Sequence, residues 1–347
     1  MTTNTSQKIE QAFKKTISSR HIHEGVLYIE NTDGDYSYNI GYGEKNIDSP
    51  LLMASITKLF TTTCILALQE RGKLSLDDKV TQYFDNAVLS GLHVFGGNDY
   101  SFDLTISDLL FQVSGLPDVF EEGKENDKRR AIKEDYYITF EEQIALIKKL
   151  KPHFMPRTKR KAYYADINFD LLGEIIEKVE QSTLAEVYKR FIFDPLSLVS
   201  TYLPEGDNDF VPNIFYQNKS INRSKFIRSC RASGGCITTA RELMIFIKAF
   251  FGGMLFKNEL FKMLSASNKL QLSMGPIYYS SGYMRIPLDG LSTLYMGKGE
   301  LLGHSGSTGS FAFFYPIKNL FIVGDLNQMS NPALPIRLSM KLAMMMK

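Results

Sequence analysis

Strand-like patterning occurs at both ends of this chain and is nearly missing from its middle, and that distribution limits the folds open to it. Gly25 to Glu30 and Tyr36 to Gly43 read as two strands, joined by Asn31-Thr32-Asp33-Gly34, whose residue types favour a tight hairpin turn. Ile277 to Arg285, Leu301 to Ser305, Ser310 to Tyr315 and Leu320 to Leu326 read as strands near the other end. The intervening signals are helical. Thr105 with Asp108, Thr139 with Glu142, Thr183 with Glu186 and Thr239 with Glu242 each fit a reciprocal cap at a helix start. Residues 6–18 place Ile9, Phe13 and Ile17 on one helical face, and Pro335 to Met346 reads as a final helix with proline in its first turn. The simplest arrangement is an α+β fold, an α/β sandwich. One antiparallel sheet is built from both termini, residues 1–50 and 270–347, and is flanked by terminal helices. Residues 51–269 form an inserted, mostly helical domain, with a functional site at the junction.

That junction carries the stretch Leu51-Leu52-Met53-Ala54-Ser55-Ile56-Thr57-Lys58-Leu59-Phe60. Apolar residues from Ile56 to Leu68 fall all around the segment, which predicts a helix buried on most sides and stopped at Gly72. Ser55 then sits in the first turn, with Lys58 one turn on along the same face. Free N–H groups at a helix start favour negative charge developing beside the serine. Burial disfavours a charged lysine, so Lys58 is suited to relaying the serine's proton. Ser-x-x-Lys alone recurs by chance about once in a chain of this length, so the remaining residues must decide between catalysis and an ordinary helix start.

The 347 residues suffice for one large domain or two intimate ones, and a net charge of +2 implies no general attraction to nucleic acid or anionic membrane. Cys64, Cys230 and Cys236 are odd in number and widely spaced; they form no metal, redox or disulfide pattern and read as small buried residues. Met1 to Ser6 contain no signal-type apolar run, and no window reaches the ~20 apolar residues of a membrane span. A soluble, cytoplasmic protein is the expectation. The basic run Lys148 to Lys161 lacks the aromatic interleaving of a nucleic-acid surface. The Met-rich tail Met340 to Lys347 reads as a helix packed on a sheet. Polar connections at 119–136 and 203–229 are solvated loops or the frame of a site.

Two further elements carry chemistry. Gly303-His304-Ser305-Gly306-Ser307-Thr308-Gly309 ends a predicted strand. It lacks the Gly-Lys-Ser/Thr of a phosphate loop and the fifth-position glycine of an α/β-hydrolase elbow. Its small side chains open a strand edge to a ligand or to another backbone; a plain Gly/Ser turn fits equally. Tyr163-Tyr164-Ala165-Asp166-Ile167-Asn168 precedes an apolar helix, which Asp166 or Asn168 is able to cap. A tyrosine there is a general base if cations favour its phenolate.

Ser-x-x-Lys near residue 55, a Tyr-x-Asn-like element near 165 and a His-x-Gly strand near 305, in that order, resemble the serine β-lactamase and penicillin-binding-protein superfamily. The resemblance is nearest to its class C β-lactamase, D,D-peptidase and family VIII esterase branch. Ile106 to Pro117, Leu171 to Glu177 and Ala232 to Leu243 resemble flanking segments of that branch, so the likeness runs from about residue 24 to the C-terminus. It implies that Ser55 is the acylated nucleophile and that Lys58 and Tyr164 move its proton to the leaving group. It implies an oxyanion hole from the Ser55 and Ser307 N–H groups, and a substrate strand edge formed by His304 and an open Gly306. It implies no metal and no cofactor, and a small-molecule or short-peptide substrate.

Two positions depart from the branch. Asp166 replaces the usual asparagine, and a carboxylate cannot donate to a substrate carbonyl as an amide does. His304 replaces a lysine, and an unperturbed imidazole is about half charged or less near neutrality. Both turn the expectation from efficient β-lactam hydrolysis toward an ester, amide or D-amino-acid peptide bond. A true β-lactamase or D,D-carboxypeptidase, and a catalytically silent binding relative, are the alternatives.

Overall fold

The computed structural model describes residues 3–264, 267–290, 293–294 and 296–346. Lys347, where the Met-rich tail ends, and Met1 and Thr2 of the N-terminal stretch lie outside the described residues. Eight strands form one antiparallel sheet: β1 (Gly25–Asn31), β2 (Ser37–Tyr42), β3 (Asn268–Lys269), β4 (Tyr278–Ser280), β5 (Tyr283–Pro287), β6 (Glu300–Ser305), β7 (Ser310–Tyr315) and β8 (Leu320–Asp325). Their order is β2-β1-β8-β7-β6-β5-β4-β3. The two ends of the chain meet where β1 pairs with β8, with Val26 opposite Asp325 and Ile29 opposite Ile322. The fold is α+β, a central antiparallel sheet flanked by helices.

Five long helices are labelled α1 (Thr3–Ile17), α2 (Thr57–Glu70), α3 (Asp166–Glu180), α4 (Ala240–Gly252) and α5 (Leu334–Met345). Every residue of β8 is buried, which requires cover on both faces of the sheet. Helix α4 packs on β1, β7 and β8, while α5 packs on β6, β7 and α1. No helix among the described residues is long and apolar enough to cross a membrane.

Residues 277–285 depart from the single strand expected of them. They form β4 and β5, which pair as a hairpin through Ser281-Gly282. Gly282 has φ +82°, and a Cβ there would lie 2.2 Å from Thr62 Oγ1. Thr62 donates to the Gly282 carbonyl at 3.1 Å, so the turn seats directly on α2. Only glycine meets both demands, and nothing in the local alternation announces them.

The caps at Thr105, Thr139 and Thr183 form reciprocally with Asp108, Glu142 and Glu186. Thr239 accepts from the Glu242 N–H, but the Glu242 carboxylate accepts instead from the Val199 and Ser200 N–H groups. Helix α2 is buried from Thr57 to Leu68 and stops where Gly72 takes φ +67° and the Lys73 N–H returns to the Leu68 carbonyl at 3.0 Å.

Candidate active site

Ser55 lies in a 3-10 turn, Ala54–Ile56, that leads straight into α2. Two short strands hold the entry: Pro50–Leu52 pairs antiparallel with Ile237–Thr239, and the Met53 N–H donates to the Cys236 carbonyl at 2.9 Å. Ala54 takes φ +45°, a sparsely populated state for a residue with a Cβ. The sharp turn brings Ser55 out, half-buried, between segments that are themselves buried.

The β6–β7 hairpin is fastened to this turn. Ser310 Oγ donates to the Met53 carbonyl at 2.8 Å and Thr308 Oγ1 to the Leu52 carbonyl at 3.4 Å. A Cβ on Gly306 would lie 2.6 Å from the Met53 carbonyl oxygen and 2.9 Å from the Ala54 Cβ. Ser310 Oγ lies closer still, at 2.2 Å, so the space that Gly306 leaves is shared by the Ser310 side chain and the Ser55 turn. Ser307 and Ser55 line the same cleft, and the Ser307 N–H makes no hydrogen bond within the described residues.

Lys58 is fully buried, and its three donors are all used. Nζ lies 3.4 Å from Ser55 Oγ, 2.5 Å from Asp166 Oδ1 and 2.7 Å from the Ser233 carbonyl. The counter-charge at Asp166 arrives from 108 positions along the chain. Asp166 is the first residue of α3 and caps nothing: its own N–H is accepted by Asp118 Oδ1 at 3.2 Å, so a remote carboxylate completes the helix start. Asn168 is not a cap either. Its carbonyl oxygen accepts from Ser114 Oγ at 2.7 Å, and its amide donates to Gln112.

Tyr164 is aimed by backbone contacts on both sides, its N–H donating to Gln271 and the next N–H, of Ala165, to Gln112, each at 3.0 Å. Lys58 Nζ sits 5.0 Å from its ring centroid. The phenol oxygen is covered, and the Ser55 hydroxyl is its hydrogen-bonding neighbour. Burial first, and then the Asp166 charge, push its pKa well above the ordinary tyrosine range; the Ser55 hydroxyl is the neighbour that favours ionisation. The resting form is phenol, so the cation-stabilised phenolate considered from sequence is not formed.

His304 stands behind Tyr164, with ring centroids 5.9 Å apart. Its Nδ1 donates to the Ser305 carbonyl at 2.8 Å, which leaves Nε2 as the acceptor facing the Tyr279 hydroxyl at 3.5 Å. Burial, and next the Lys58 charge, lower its pKa to about 3. The ring is neutral throughout the physiological range and supplies no charge to a substrate anion.

Sequence reasoning missed Asp118, Asp170 and Ser233. Asp118 directly follows Leu116-Pro117, and Asp170 lies four residues after Asp166 on one helical face; that spacing was the available signal. The segments 119–136 and 203–229, expected as polar connections, carry the helices Asp127–Lys133 and Ser224–Ser229 and the strand pair Ile214–Tyr216 and Lys219–Ile221, and they frame the cleft: Phe120, Ile214 and Phe226 line it together with Ser55. The cleft is narrow, about 40 Å³; a cavity of about 330 Å³ is lined by Asp170, Gly173 and Arg231, and larger ones of about 570 and 490 Å³ contain none of Ser55, Lys58, Tyr164, Asp166 and His304.

Known proteins share both sequence and architecture with this chain. Protein flp of Staphylococcus aureus (strain MRSA252) is 26% identical over 218 residues, covering 60% of this chain and 40% of flp. The chain thus matches less than half the length of that curated relative. A D-stereospecific amidohydrolase from Streptomyces sp. superposes with a TM-score of 0.73 at 23% identity, covering 96% of each chain. D-amino acid amidase from Ochrobactrum anthropi SV3, complexed with L-phenylalanine amide, superposes with a TM-score of 0.78 at 16% identity, covering 99% of this chain and 97% of the amidase. These two likenesses concern the fold. The family profile described as Beta-lactamase matches residues 9–341, almost the whole chain, and the chain belongs to that family.

Proposed function

We propose that this protein is a serine hydrolase that cleaves an ester, amide or D-amino-acid peptide bond through an acyl-enzyme on Ser55. Within the family it stands nearest the class C β-lactamase, D,D-peptidase and family VIII esterase branch. One observation carries the reading: a single buried nitrogen, Lys58 Nζ, touches both Ser55 Oγ and the Asp166 carboxylate, at 3.4 and 2.5 Å. Proton removal from the serine then has a complete path. Ser55 Oγ attacks the substrate carbonyl carbon and yields its proton to Lys58, which passes one to Asp166 in the same step. The phenol of Tyr164 protonates the leaving oxygen or nitrogen as the carbonyl bond breaks. Water then attacks the acyl carbon and gives a proton to the phenolate, while the proton held on Asp166 returns through Lys58 to the departing Ser55 Oγ. The N–H groups of Ser55 and Ser307 face the developing oxyanion, and a pair of such donors contributes about 3–4 kcal/mol each in comparable sites.

The neutral His304 supports a substrate without a carboxylate at this edge, and so an ester or amide over a β-lactam. The fold of the D-amino acid amidase and the D-stereospecific amidohydrolase agrees with that choice. The test is a hydrolysis panel of p-nitrophenyl esters, D-aminoacyl anilides and nitrocefin, with fluorophosphonate labelling and Ser55→Ala as control. Ester or anilide turnover and labelling lost in Ser55→Ala are expected. Labelling that persists in Ser55→Ala refutes the nucleophile.

A further inference from the structure

Residues 163–165 lie in no helix or strand, so their N–H groups have no ladder to join. They go instead to remote residues. The Tyr163 N–H donates to the Gln112 carbonyl at 2.9 Å, the Tyr164 N–H to Gln271 Oε1 at 3.0 Å and the Ala165 N–H to Gln112 Oε1 at 3.0 Å. The N–H groups of Tyr164 and Ala165 belong to the peptide planes that meet at the Tyr164 Cα, so their partners set the direction of the phenol. Gln271 is partly exposed, whereas Gln112 is fully buried and is the fixed partner.

Gln112 carries penalties that packing alone does not explain. Just past the short helix Ile106–Leu110 it takes φ +58°, a left-handed state that costs a residue with a Cβ on the order of 1–3 kcal/mol. Its Nε2 is covered and donates to nothing among the described residues, which costs about 1–3 kcal/mol more. Its oxygens, by contrast, are fully engaged: the carbonyl accepts from Tyr163, and Oε1 accepts from the Ala165 N–H and the Asn168 side chain. An apolar residue would avoid the idle donor, and glycine or asparagine the strained backbone. None of these carries an oxygen as far as Ala165.

We propose that Gln112 is a positioning residue for the leaving-group step: it holds Tyr164 where the phenol meets the departing atom. The inference rests on the acyl-enzyme reading above and adds to it the group that aims its acid. The consequence depends on the leaving group. A p-nitrophenolate departs as an anion without a proton, whereas an anilide nitrogen departs only once protonated. A misaimed phenol therefore harms anilide cleavage more than ester cleavage. In a step that relies on such positioning, a displacement of about 1 Å costs about 10²-fold.

The test uses the p-nitrophenyl ester and the p-nitroanilide of D-phenylalanine, which share one acyl group, and reads kcat/KM, which is governed by the steps up to acyl transfer. If wild type cleaves esters only, the ethyl ester replaces the anilide, because its alkoxide also needs the proton. Gln112→Asn suits the left-handed backbone and withdraws the oxygen by one methylene; Gln112→Met keeps the length and removes the oxygen; Gln112→Glu keeps both. The ratio of p-nitrophenyl ester to anilide kcat/KM is expected to rise about tenfold or more in Gln112→Asn and Gln112→Met, and to stay within about twofold of wild type in Gln112→Glu. Amide hydrogen exchange across residues 162–168 is expected to quicken in the first two and to match wild type in the third. A ratio unchanged in Gln112→Asn and Gln112→Met, equal loss on both substrates included, overturns the proposal and leaves Gln112 a support of the fold only. If wild type turns over no substrate, the acyl-enzyme reading fails by itself. The exchange comparison then decides whether Gln112 holds the Tyr164 segment, and unchanged protection in Gln112→Asn rejects it.

Discussion

Asp166 forms an ion pair with Lys58, and the Lys58 nitrogen that it holds is also the one that meets the Ser55 hydroxyl. An asparagine in that place would supply the geometry of the contact without a site for a proton. In the proposed mechanism the aspartate gives the Ser55 proton a place to rest.

Asp166→Asn therefore separates geometry from proton acceptance. The expected result is a fall in kcat/KM of about 10²-fold for a p-nitrophenyl ester at pH 7, within the usual range for loss of a general base. An activity equal to or above wild type would mean that Lys58 needs no partner to take the proton.

The neutral His304 leads to a prediction in pH. Its folded-state pKa, about 3, lies below the unfolded value of 6.5, so the unfolded chain takes up a proton first. Stability from this residue is present above pH 6.5 and declines as pH falls toward 3, by about 1.4 kcal/mol per unit. His304→Gln removes that dependence: its Tm is expected to fall less than that of wild type between pH 7 and pH 4, by thermal melting. The acid limb of activity is expected to be the same in both, because the imidazole does not titrate in the working range.

Asp170 has the opposite sign. Its folded pKa, about 8, lies above the ordinary 3.8, so the folded state favours the protonated carboxyl. Its contribution is complete below about pH 4 and is lost as pH rises through 8. Asp170→Asn is accordingly expected to melt above wild type at pH 8 and close to it at pH 4. A shift of about 2–4 °C for each kcal/mol is the scale for a chain of this size. A variant that melts lower at both pH values would show that the Ser233 hydroxyl holds the carboxyl more strongly than burial penalises it.

Gly306→Ala tests the fastening of the β6–β7 hairpin to the nucleophile turn. The added methyl meets the Met53 carbonyl and the Ala54 Cβ inside contact distance. About 1–3 kcal/mol of destabilisation is expected from such overpacking. Fluorophosphonate labelling of Ser55 is expected to slow as the Ser307 N–H moves off. Unchanged melting and labelling would show that the hairpin and the turn shift together without loss.

The sheet at both chain ends, the buried helix after Ser55 and three of the reciprocal caps were legible because each depends on residues close in sequence: alternation, helical period and Thr-x-x-Asp/Glu spacing. Ser55, Lys58 and Tyr164 were legible as residue types in a familiar order. The split of 277–285 into two strands was not, because its cause is Thr62 on another element. Nor was the actual use of Gly306, whose space is filled by the Ser310 side chain and by the remote Met53-Ala54 turn. The same limit governs the chemistry. Composition and motif determined that a hydroxyl, an amine and a phenol were present. Only the tertiary structure decided that the phenol is held in its protonated form, because burial and the approach of Asp118, Asp166 and Asp170 depend on distances through space that the order of residues does not contain.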